Sequence, residues 1–255
     1  MTLYGLIGRS LGHSFSARFF AEKFAREGIS ARYINFEIPS IDKLHEIIEC
    51  HPNLAGFNVT IPYKRDIIPL LDSITPQAQN IGAVNTVCIE RDTCGRIKLH
   101  GANTDAPGFS LSLQNMLPQH SCNGYQALIL GTGGASAAVE AALTDLGILS
   151  TYVSRTPENH HGAPCIGYDD ITAEIMRSHL VIVNTTPLGT YPDTGSAPPI
   201  PYQLLSPRHI CHDLVYNPAS TRFMQECALR GSAVKNGLDM LHNQALLSYR
   251  LWSKS

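Results

Sequence analysis

A glycine-rich turn at residues 131–136 is the strongest chemical signal in the sequence. It reads Gly131-Thr132-Gly133-Gly134-Ala135-Ser136, follows a short apolar run and precedes an Ala-rich stretch. A strand that enters a helix through such a turn is typical of dinucleotide binding. The first glycine permits the tight turn, the second lets the backbone approach a pyrophosphate, and the helix N-terminus offers N–H groups to phosphate. Glycine turns also serve as plain connections, so the surrounding strands and helices carry part of the prediction.

A second signal lies about twenty residues further on, where the next predicted strand ends in Ser154-Arg155-Thr156 without an acidic residue. NAD-binding sites place Asp or Glu here to hold the ribose 2′-hydroxyl, whereas an arginine accommodates the 2′-phosphate of NADP. Arg155 can pair with that phosphate through two N–H groups, and Thr156 can donate its hydroxyl. The alternative is an exposed arginine in a surface turn. The sequence favours NADP over NAD.

Polar side chains also gather at predicted strand ends in the first half of the chain, where open α/β sheets bind ligands. They are Ser14, Ser16, Asn58, Thr60, Lys64, Asn85, Thr86, Asn103, Thr104 and Asp105. Each has a structural alternative: Ser14 or Ser16 could cap a helix, Asp105 could cap another, and Lys64 could be a solvated charge. Together they predict a pocket of hydroxyl, amide and opposite-charge groups suited to a small polyol acid.

The elements that must position these groups follow from hydrophobic periodicity. Strands are predicted at 3–7, 33–38, 54–59, 84–90, 96–101, 125–130, 149–153, 180–184 and 210–214, and helices at 15–27, 40–50, 106–117, 135–146 and 238–252. The alternation predicts an α/β protein with two domains. Residues 1–104, completed by a C-terminal helix at 237–255, form an N-terminal α/β substrate domain with a mainly parallel sheet. Residues 120–236 form a Rossmann domain for the dinucleotide.

Composition narrows the function classes. A net charge of −2 provides no basic field for nucleic acid. No apolar run approaches the roughly 20 residues of a membrane helix, and no leader pattern is seen, so we expect a cytoplasmic protein. Seven cysteines without a CxxC pair indicate reduced thiols. His209 and His212 lie three residues apart but lack a third ligand pattern nearby, and we expect no metal site.

The motifs and their order resemble those of the shikimate dehydrogenases, over nearly the whole chain. In the first domain the similar segments are Gly8–Ser16, Gly56–Lys64, Gly82–Thr86 and Gly101–Asp105; in the second they are Gly131–Ser136, Ser154–Thr156, Asp213–Pro218 and Gly237–Gln244. The resemblance implies reversible reduction of 3-dehydroshikimate to shikimate with NADPH, a step in chorismate and aromatic amino acid biosynthesis. It implies a small-molecule substrate, no nucleic-acid or membrane partner, and a monomer or homodimer.

The resemblance also implies roles for individual residues. Lys64 and Asp105 would flank the reacting C3 oxygen as the catalytic pair, with Lys64 acting as a proton donor or as an electrostatic stabiliser. The implied substrate-binding residues are Ser14, Ser16, Thr60, Asn85, Tyr216 and Gln244. The implied cofactor-binding residues are Gly131, Thr132, Gly133, Gly134, Ala135, Ser154, Arg155, Thr156, Leu214 and Gly237.

Three alternatives compete with this interpretation. A sibling enzyme would also accept quinate and prefer NAD, which Arg155 disfavours. A ligand-sensing relative without turnover is disfavoured by the intact Lys64 and Asp105. An unrelated Rossmann reductase leaves the motifs of the first domain unexplained. Ser10, where the family usually has proline, and Ala17-Arg18-Phe19-Phe20 depart from the family pattern in the first loop, and Thr132 and Ser154 replace commoner residues of the cofactor motifs.

Overall fold

The computed structural model describes residues 1–12, 15–117, 124–159 and 163–253. The chain forms two compact units, one of Met1–Thr104 with Ala245–Ser255 and the other of Asp105–Gln244. The second unit is larger than the Rossmann domain predicted at 120–236. It also takes in the helix that follows Thr104 and the first turns of the last helix, because these segments pack on its own elements.

Strands and helices alternate along most of the chain. The strands are β1 (Thr2–Gly8), β2 (Ala31–Glu37), β3 (Leu54–Val59), β4 (Ser73–Ile74), β5 (Thr86–Arg91), β6 (Ile97–Ala102), β7 (Gln126–Leu130), β8 (Leu149–Ser154), β9 (Cys165–Gly167), β10 (Val181–Asn184), β11 (Ile210–Asp213) and β12 (Ala233–Lys235). The α-helices are α1 (Phe15–Glu27), α2 (Leu44–Cys50), α3 (Pro76–Ile81), α4 (Asp105–Gln114), α5 (Ser136–Asp145), α6 (Ala173–Ser178), α7 (Arg222–Ala228) and α8 (Leu238–Trp252).

The sheet of the first unit has the order β2-β1-β3-β5-β6-β4. β1 pairs in parallel with β2 and β3, and β4 pairs in parallel with β6, whereas β5 runs antiparallel to both β3 and β6. The antiparallel pair β5–β6 turns at Asp92, whose Oδ1 accepts from the N–H groups of Cys94 and Arg96 at 2.8 Å each. The sheet is therefore mainly parallel, as predicted, with one inserted hairpin.

Both faces of this sheet are covered. On one face Leu3 and Ile7 of β1 join the buried side chains of β3 and α2. On the other face Tyr4 of β1 packs with α1, and it stacks on Trp252 of α8 with ring centroids 4.8 Å apart. Alternate residues of β1 thus point to opposite layers, as the period of two in a strand requires.

The second unit contains a fully parallel sheet of order β12-β11-β10-β7-β8-β9. Counted from β7, its first strand, the sheet follows the 3-2-1-4-5-6 order of doubly wound dinucleotide-binding folds, with the order reversing between β7 and β10. Ligands of such sheets bind outside the carboxyl ends of the strands at this reversal. The Rossmann prediction is confirmed, and the glycine turn lies directly at that position.

Two features are not found among the described residues. No helix there is long and apolar enough to span a membrane. In the same part of the chain, no three His, Cys, Asp or Glu side chains come together as a metal site. His209 instead contacts the Ser206 turn and the carbonyl oxygen of Met176, and His212 contacts the Ser112 hydroxyl.

Candidate active site

The glycine turn of the second unit connects β7 to α5. Gly131 has a φ of +101°, and a Cβ at this position would lie 2.8 Å from Cγ2 of Thr186, so only glycine fits without strain. A Cβ on Gly133 or Gly134 would meet no atom of the described structure within 4 Å. The backbone of these two residues therefore borders open space, as the approach of a phosphate requires.

The first turn of α5 follows immediately. Ser136 donates its hydroxyl to the carbonyl oxygen of Gly133 at 2.6 Å, which holds the turn against the helix. Ala135, at the N-cap position, has no side-chain acceptor for the N–H groups of this turn. A helix N-terminus without a side-chain cap presents N–H groups and the positive end of the helix dipole, and this chemistry suits a phosphate.

A cavity of about 590 Å³ lies beside the glycine turn, within the second unit. Ser154, Arg155 and Thr156 form part of its wall, and Ser154 accepts from the N–H of Thr156 at 3.1 Å. Tyr168 lines the same cavity; burial raises the pKa of its hydroxyl, and the charge of Arg155 opposes that shift. The exposed guanidinium of Arg155 therefore provides positive charge at the cavity wall.

A further part of the wall comes from a turn that sequence analysis did not single out. The buried Asn184 ends β10, and its Oδ1 accepts from the N–H of Thr186 at 3.0 Å and from its hydroxyl at 2.6 Å. Thr185 donates to the carbonyl oxygen of Leu130 at 2.8 Å, which joins the turn to the glycine turn. The sequence contains a signal for this turn. An asparagine stands at a predicted strand end, and two threonines and Pro187 follow it.

The segments around Leu214 and Gly237 approach each other closely in the second unit. A Cβ on residue 237 would lie 2.7 Å from the carbonyl carbon of Leu214, and the Gly237 N–H donates to the carbonyl oxygen of Val215 at 3.1 Å. Leu214 itself donates its N–H to the carbonyl oxygen of Asn184 at 2.9 Å. Two residues further on, Tyr216 is 40% exposed.

In the first unit, five side chains form one buried group at the end of β3 and the start of β5, which we call the amide–hydroxyl cluster. Its members are Asn58, Asn85, Thr86, Thr104 and Ser248, each at most 4% exposed. Sequence analysis selected four of them but missed Ser248, which lies on α8 far along the chain. A single serine in an amphipathic helix does not indicate a role in a binding site.

Hydrogen-bond donors fix the orientation of both amides in the cluster. The Tyr33 hydroxyl donates to Oδ1 of Asn58 at 2.9 Å, so the Asn58 amide nitrogen faces the hydroxyl groups. The Thr104 N–H donates to Oδ1 of Asn85 at 2.7 Å, and Nδ2 of Asn85 donates to the Thr104 hydroxyl at 3.0 Å. The Asn85 carboxamide is therefore held in one orientation by its neighbour across the sheet.

Ser16, a predicted carboxylate ligand, lies on α1 and is buried. Burial raises the pKa of Tyr33, and a hydrogen bond with Ser16 opposes that shift. Ser16 is thus linked through Tyr33 to Asn58 and the amide–hydroxyl cluster. The structure brings these residues together, although they are distant in sequence.

The loop with Thr60 and Lys64 leaves the end of β3. Thr60 donates its N–H to the carbonyl oxygen of Ile7 at 2.9 Å, and the carbonyl oxygen of Lys64 accepts from the N–H of Val84 at 2.8 Å. The half-buried Lys64 therefore sits beside the segment that leads into Asn85. The buried Tyr63 holds the loop in place, since its hydroxyl donates to the carbonyl oxygen of Ile38 at 2.7 Å.

The remaining residues with a predicted role in catalysis or substrate binding are Asp105, Gln244 and Ser14. Asp105 is buried and is the first residue of α4, where a carboxylate is favoured by the helix dipole. Gln244 is buried on α8, and its Nε2 donates to the carbonyl oxygen of Leu241 at 3.0 Å. Ser14 lies outside the described residues.

Comparison with known proteins assigns the family. Residues 6–87 match a family model described as the shikimate dehydrogenase substrate binding domain. The NADP(+)-dependent shikimate dehydrogenase of Oleidesulfovibrio alaskensis is 38% identical, over 98% of this chain and 89% of the relative. The chain belongs to the shikimate dehydrogenase family.

Solved structures extend the similarity to both units of this shikimate dehydrogenase family member. A crystal structure of a shikimate dehydrogenase in complex with NADP+ has a TM-score of 0.87 at 30% identity, covering 100% of this chain and 91% of that chain. The enzyme of Thermus thermophilus, in complex with NADP(H) and shikimate, has a TM-score of 0.85 at 32% identity, covering 100% and 94%. The predicted family and the two-domain α/β fold class are confirmed.

Proposed function

We propose that this chain catalyses the reversible reduction of 3-dehydroshikimate to shikimate with NADPH. The similarity over the full chain to an enzyme solved with NADP(H) and shikimate is the observation that carries the proposal. In this assignment most of the substrate-binding residues belong to the first unit, and the cofactor-binding residues belong to the second unit.

The cavity at the glycine turn has the chemistry that NADP needs. Gly133 and Gly134 border open space where a pyrophosphate approaches the backbone, and the first turn of α5 offers N–H groups to it. Arg155 and Thr156 stand at the end of β8, where the adenosine ribose of such folds lies, and the guanidinium suits a 2′-phosphate. Thr132, Ala135, Leu214 and Gly237 complete the proposed cofactor contacts.

The polar side chains assigned to the substrate, including Asn85 of the amide–hydroxyl cluster, suit a polyhydroxylated ring acid. Asn85 and Thr60 are assigned to ring hydroxyl groups, and Ser14 and Ser16 to the ring carboxylate. Hydroxyl donors form charge-assisted hydrogen bonds with a carboxylate while adding no charge of their own. Tyr216 and Gln244 are assigned to the remaining polar groups of the substrate.

Reduction of the ketone places negative charge on its oxygen as the carbon accepts a hydride. NADPH supplies that hydride when bound. In the proposal, the Lys64 ammonium faces the substrate C3 oxygen, stabilises its developing charge and delivers the proton that completes the alcohol. Asp105 is assigned as the second member of the catalytic pair, as the family resemblance implies.

The proposal is tested by substrate and cofactor choice. Steady-state rates of oxidation are measured for shikimate and for quinate, each with NADP+ and with NAD+. We expect kcat/KM to be highest for shikimate with NADP+, by about tenfold or more over each other pair, since lost or unmatched polar contacts cost at least about 1.4 kcal/mol.

Two outcomes would contradict the proposal, and each points to an alternative. Equal or faster oxidation of quinate with NAD+ assigns the chain to the quinate-utilising sibling enzymes. Binding of shikimate, measured by calorimetry, without turnover with either cofactor assigns it to the ligand-sensing relatives.

A further inference from the structure

Ser248 occupies the centre of the amide–hydroxyl cluster. Its side chain is fully buried, and its hydroxyl lies 2.8 Å from Nδ2 of Asn58, 2.8 Å from the Thr86 hydroxyl and 3.0 Å from the Thr104 hydroxyl. The residue is separated from these partners by more than 140 positions in sequence. It is the member of the cluster that comes from the C-terminal helix.

The hydroxyl groups of Ser248, Thr86 and Thr104 form a closed triangle, because Thr86 and Thr104 are themselves 3.0 Å apart. Each hydroxyl has one hydrogen to donate and can accept two hydrogen bonds. A threonine hydroxyl that donates to Oδ1 of Asn85 has no hydrogen left for the triangle, so the Ser248 hydroxyl can supply the donor within it. Removal of the Ser248 hydroxyl therefore takes one buried hydrogen-bond partner from each threonine, while Thr86 and Thr104 keep their contacts with each other and with Asn85.

Two members of the triangle contact Asn85, the cluster residue that the proposed function assigns to a ring hydroxyl group. Thr104 and Thr86 both contact Oδ1 of Asn85, and the Thr104 hydroxyl also accepts from Asn85 Nδ2. The Ser248 side chain is enclosed within the cluster and has no exposed surface to offer a ligand. Its influence on Asn85 passes through the two threonines.

The helix that carries Ser248 is fixed independently. One turn further along α8, the Trp252 indole N–H donates to the carbonyl oxygen of Val87 at 2.9 Å. A Cβ on Gly56 would collide with the same indole ring, so strand and helix are in direct contact. Loss of the Ser248 hydroxyl alone is therefore expected to leave α8 in place and to change the cluster locally.

We propose that Ser248 is a positioning residue for the substrate: through Thr86 and Thr104 it holds the Asn85 carboxamide in the orientation that binds a ring hydroxyl group. The inference rests on the proposed function and adds to it a residue from the C-terminal helix. Ser248 is thus expected to affect the binding of shikimate rather than that of the cofactor. This effect is expected to depend on Asn85.

A double-mutant cycle tests both expectations. Kinetic constants for shikimate oxidation with NADP+ are measured for wild type, Ser248→Ala, Asn85→Ala and the double variant. We expect Ser248→Ala to lower kcat/KM for shikimate about tenfold, mainly by raising its KM, with KM for NADP+ unchanged. In the Asn85→Ala background the same change should alter kcat/KM by less than about twofold, since the group it positions is already absent.

Ser112→Ala is the matched control. Ser112 is equally buried in the second unit, and its hydroxyl contacts His212 at 2.9 Å. Its loss should lower the melting temperature by a similar amount and leave both KM values unchanged. Ser248→Cys, of similar size and with a weaker donor, serves if Ser248→Ala does not fold. It should show a smaller loss that again disappears in the Asn85→Ala background.

The outcomes separate this inference from the proposed function. Equal losses from the serine change in both backgrounds, or an unchanged KM for shikimate, overturn the role of Ser248 alone. A wild-type chain that neither oxidises nor binds shikimate overturns the proposed function and this inference with it.

Discussion

The carbonyl carbon of Leu214 lies 2.7 Å from the point that a Cβ on Gly237 would occupy, and its oxygen lies closer still. Both residues are among the implied cofactor contacts and lie in segments that resemble the family. The neighbour is backbone, which cannot rotate away as a side chain could. Glycine at position 237 is therefore required by the packing of two chain segments, whatever contact it makes with a cofactor.

Gly237→Ala should consequently destabilise the protein by about 2 kcal/mol or more, since the backbone near Leu214 must shift to admit a methyl group. Urea unfolding followed by circular dichroism measures the change. Gly195→Ala is the control: Gly195 is exposed, and its Cβ would meet no described atom within 4 Å. That substitution should change the free energy of unfolding by less than about 1 kcal/mol. Similar values for the two variants would contradict the packing argument.

Arg155→Ala should change the choice of cofactor. With the guanidinium gone, kcat/KM for NADPH should fall about tenfold to a hundredfold, the range for charge-assisted hydrogen bonds, while the value for NADH stays nearly constant. Arg177→Ala, an exposed arginine of α6 in the same unit, is the matched control and should alter neither value. An equal loss with both cofactors would show that Arg155 does not recognise the 2′-phosphate.

His212 should make stability depend on pH. It is fully buried on β11 against Ser112 and Phe109, and burial, with the charge of Lys235, lowers its pKa to about 4 from an ordinary 6.5. Below about pH 6.5 the unfolded chain binds a proton at His212 that the folded chain does not bind. The contribution of His212 to the free energy of unfolding is therefore complete above that pH. It is lost as the pH falls towards about 4, in total about 3 kcal/mol.

The difference between wild type and His212→Gln isolates this contribution from other titrating groups. Urea unfolding at several pH values should give a curve for the variant that is flatter between about pH 6.5 and 4, by up to about 1.4 kcal/mol per pH unit. His45→Gln, at an exposed histidine of α2, should leave the curve unchanged. Parallel curves for wild type and His212→Gln would contradict the assignment.

Long periodic elements were predicted well. The helices at 15–27 and 238–252 have the predicted bounds, because their hydrophobic pattern repeats over several turns. The strand at 54–59 also has its predicted bounds, although it is a short and almost continuously buried run. Short elements were missed, including β9, β12 and α6. Strands of three residues and helices of six cover fewer than two periods of hydrophobicity, so the contacts of the folded chain decide their conformation.

The sequence predicted the residues of the candidate site that lie in local motifs, but it did not predict a residue that contributes through contacts between distant segments. Gly131 follows the end of β7 and Asn85 precedes the start of β5, each within a local motif, so the sequence points to them directly. Ser248 contributes through contacts with Asn58 and Thr104, which only the folded chain brings together. Neither its residue type nor its position in an amphipathic helix indicates such a contact.

Lys64 is the residue on which the proposed reaction depends most. The decisive measurement is the rate of NADPH oxidation with 3-dehydroshikimate, for wild type, Lys64→Ala and the control Lys98→Ala, an exposed lysine of β6 in the same unit. We predict turnover by wild type and Lys98→Ala at equal rates, and a kcat at least about a hundredfold lower for Lys64→Ala, as expected for loss of a proton donor. Equal rates for all three proteins, or no turnover by wild type, would contradict it.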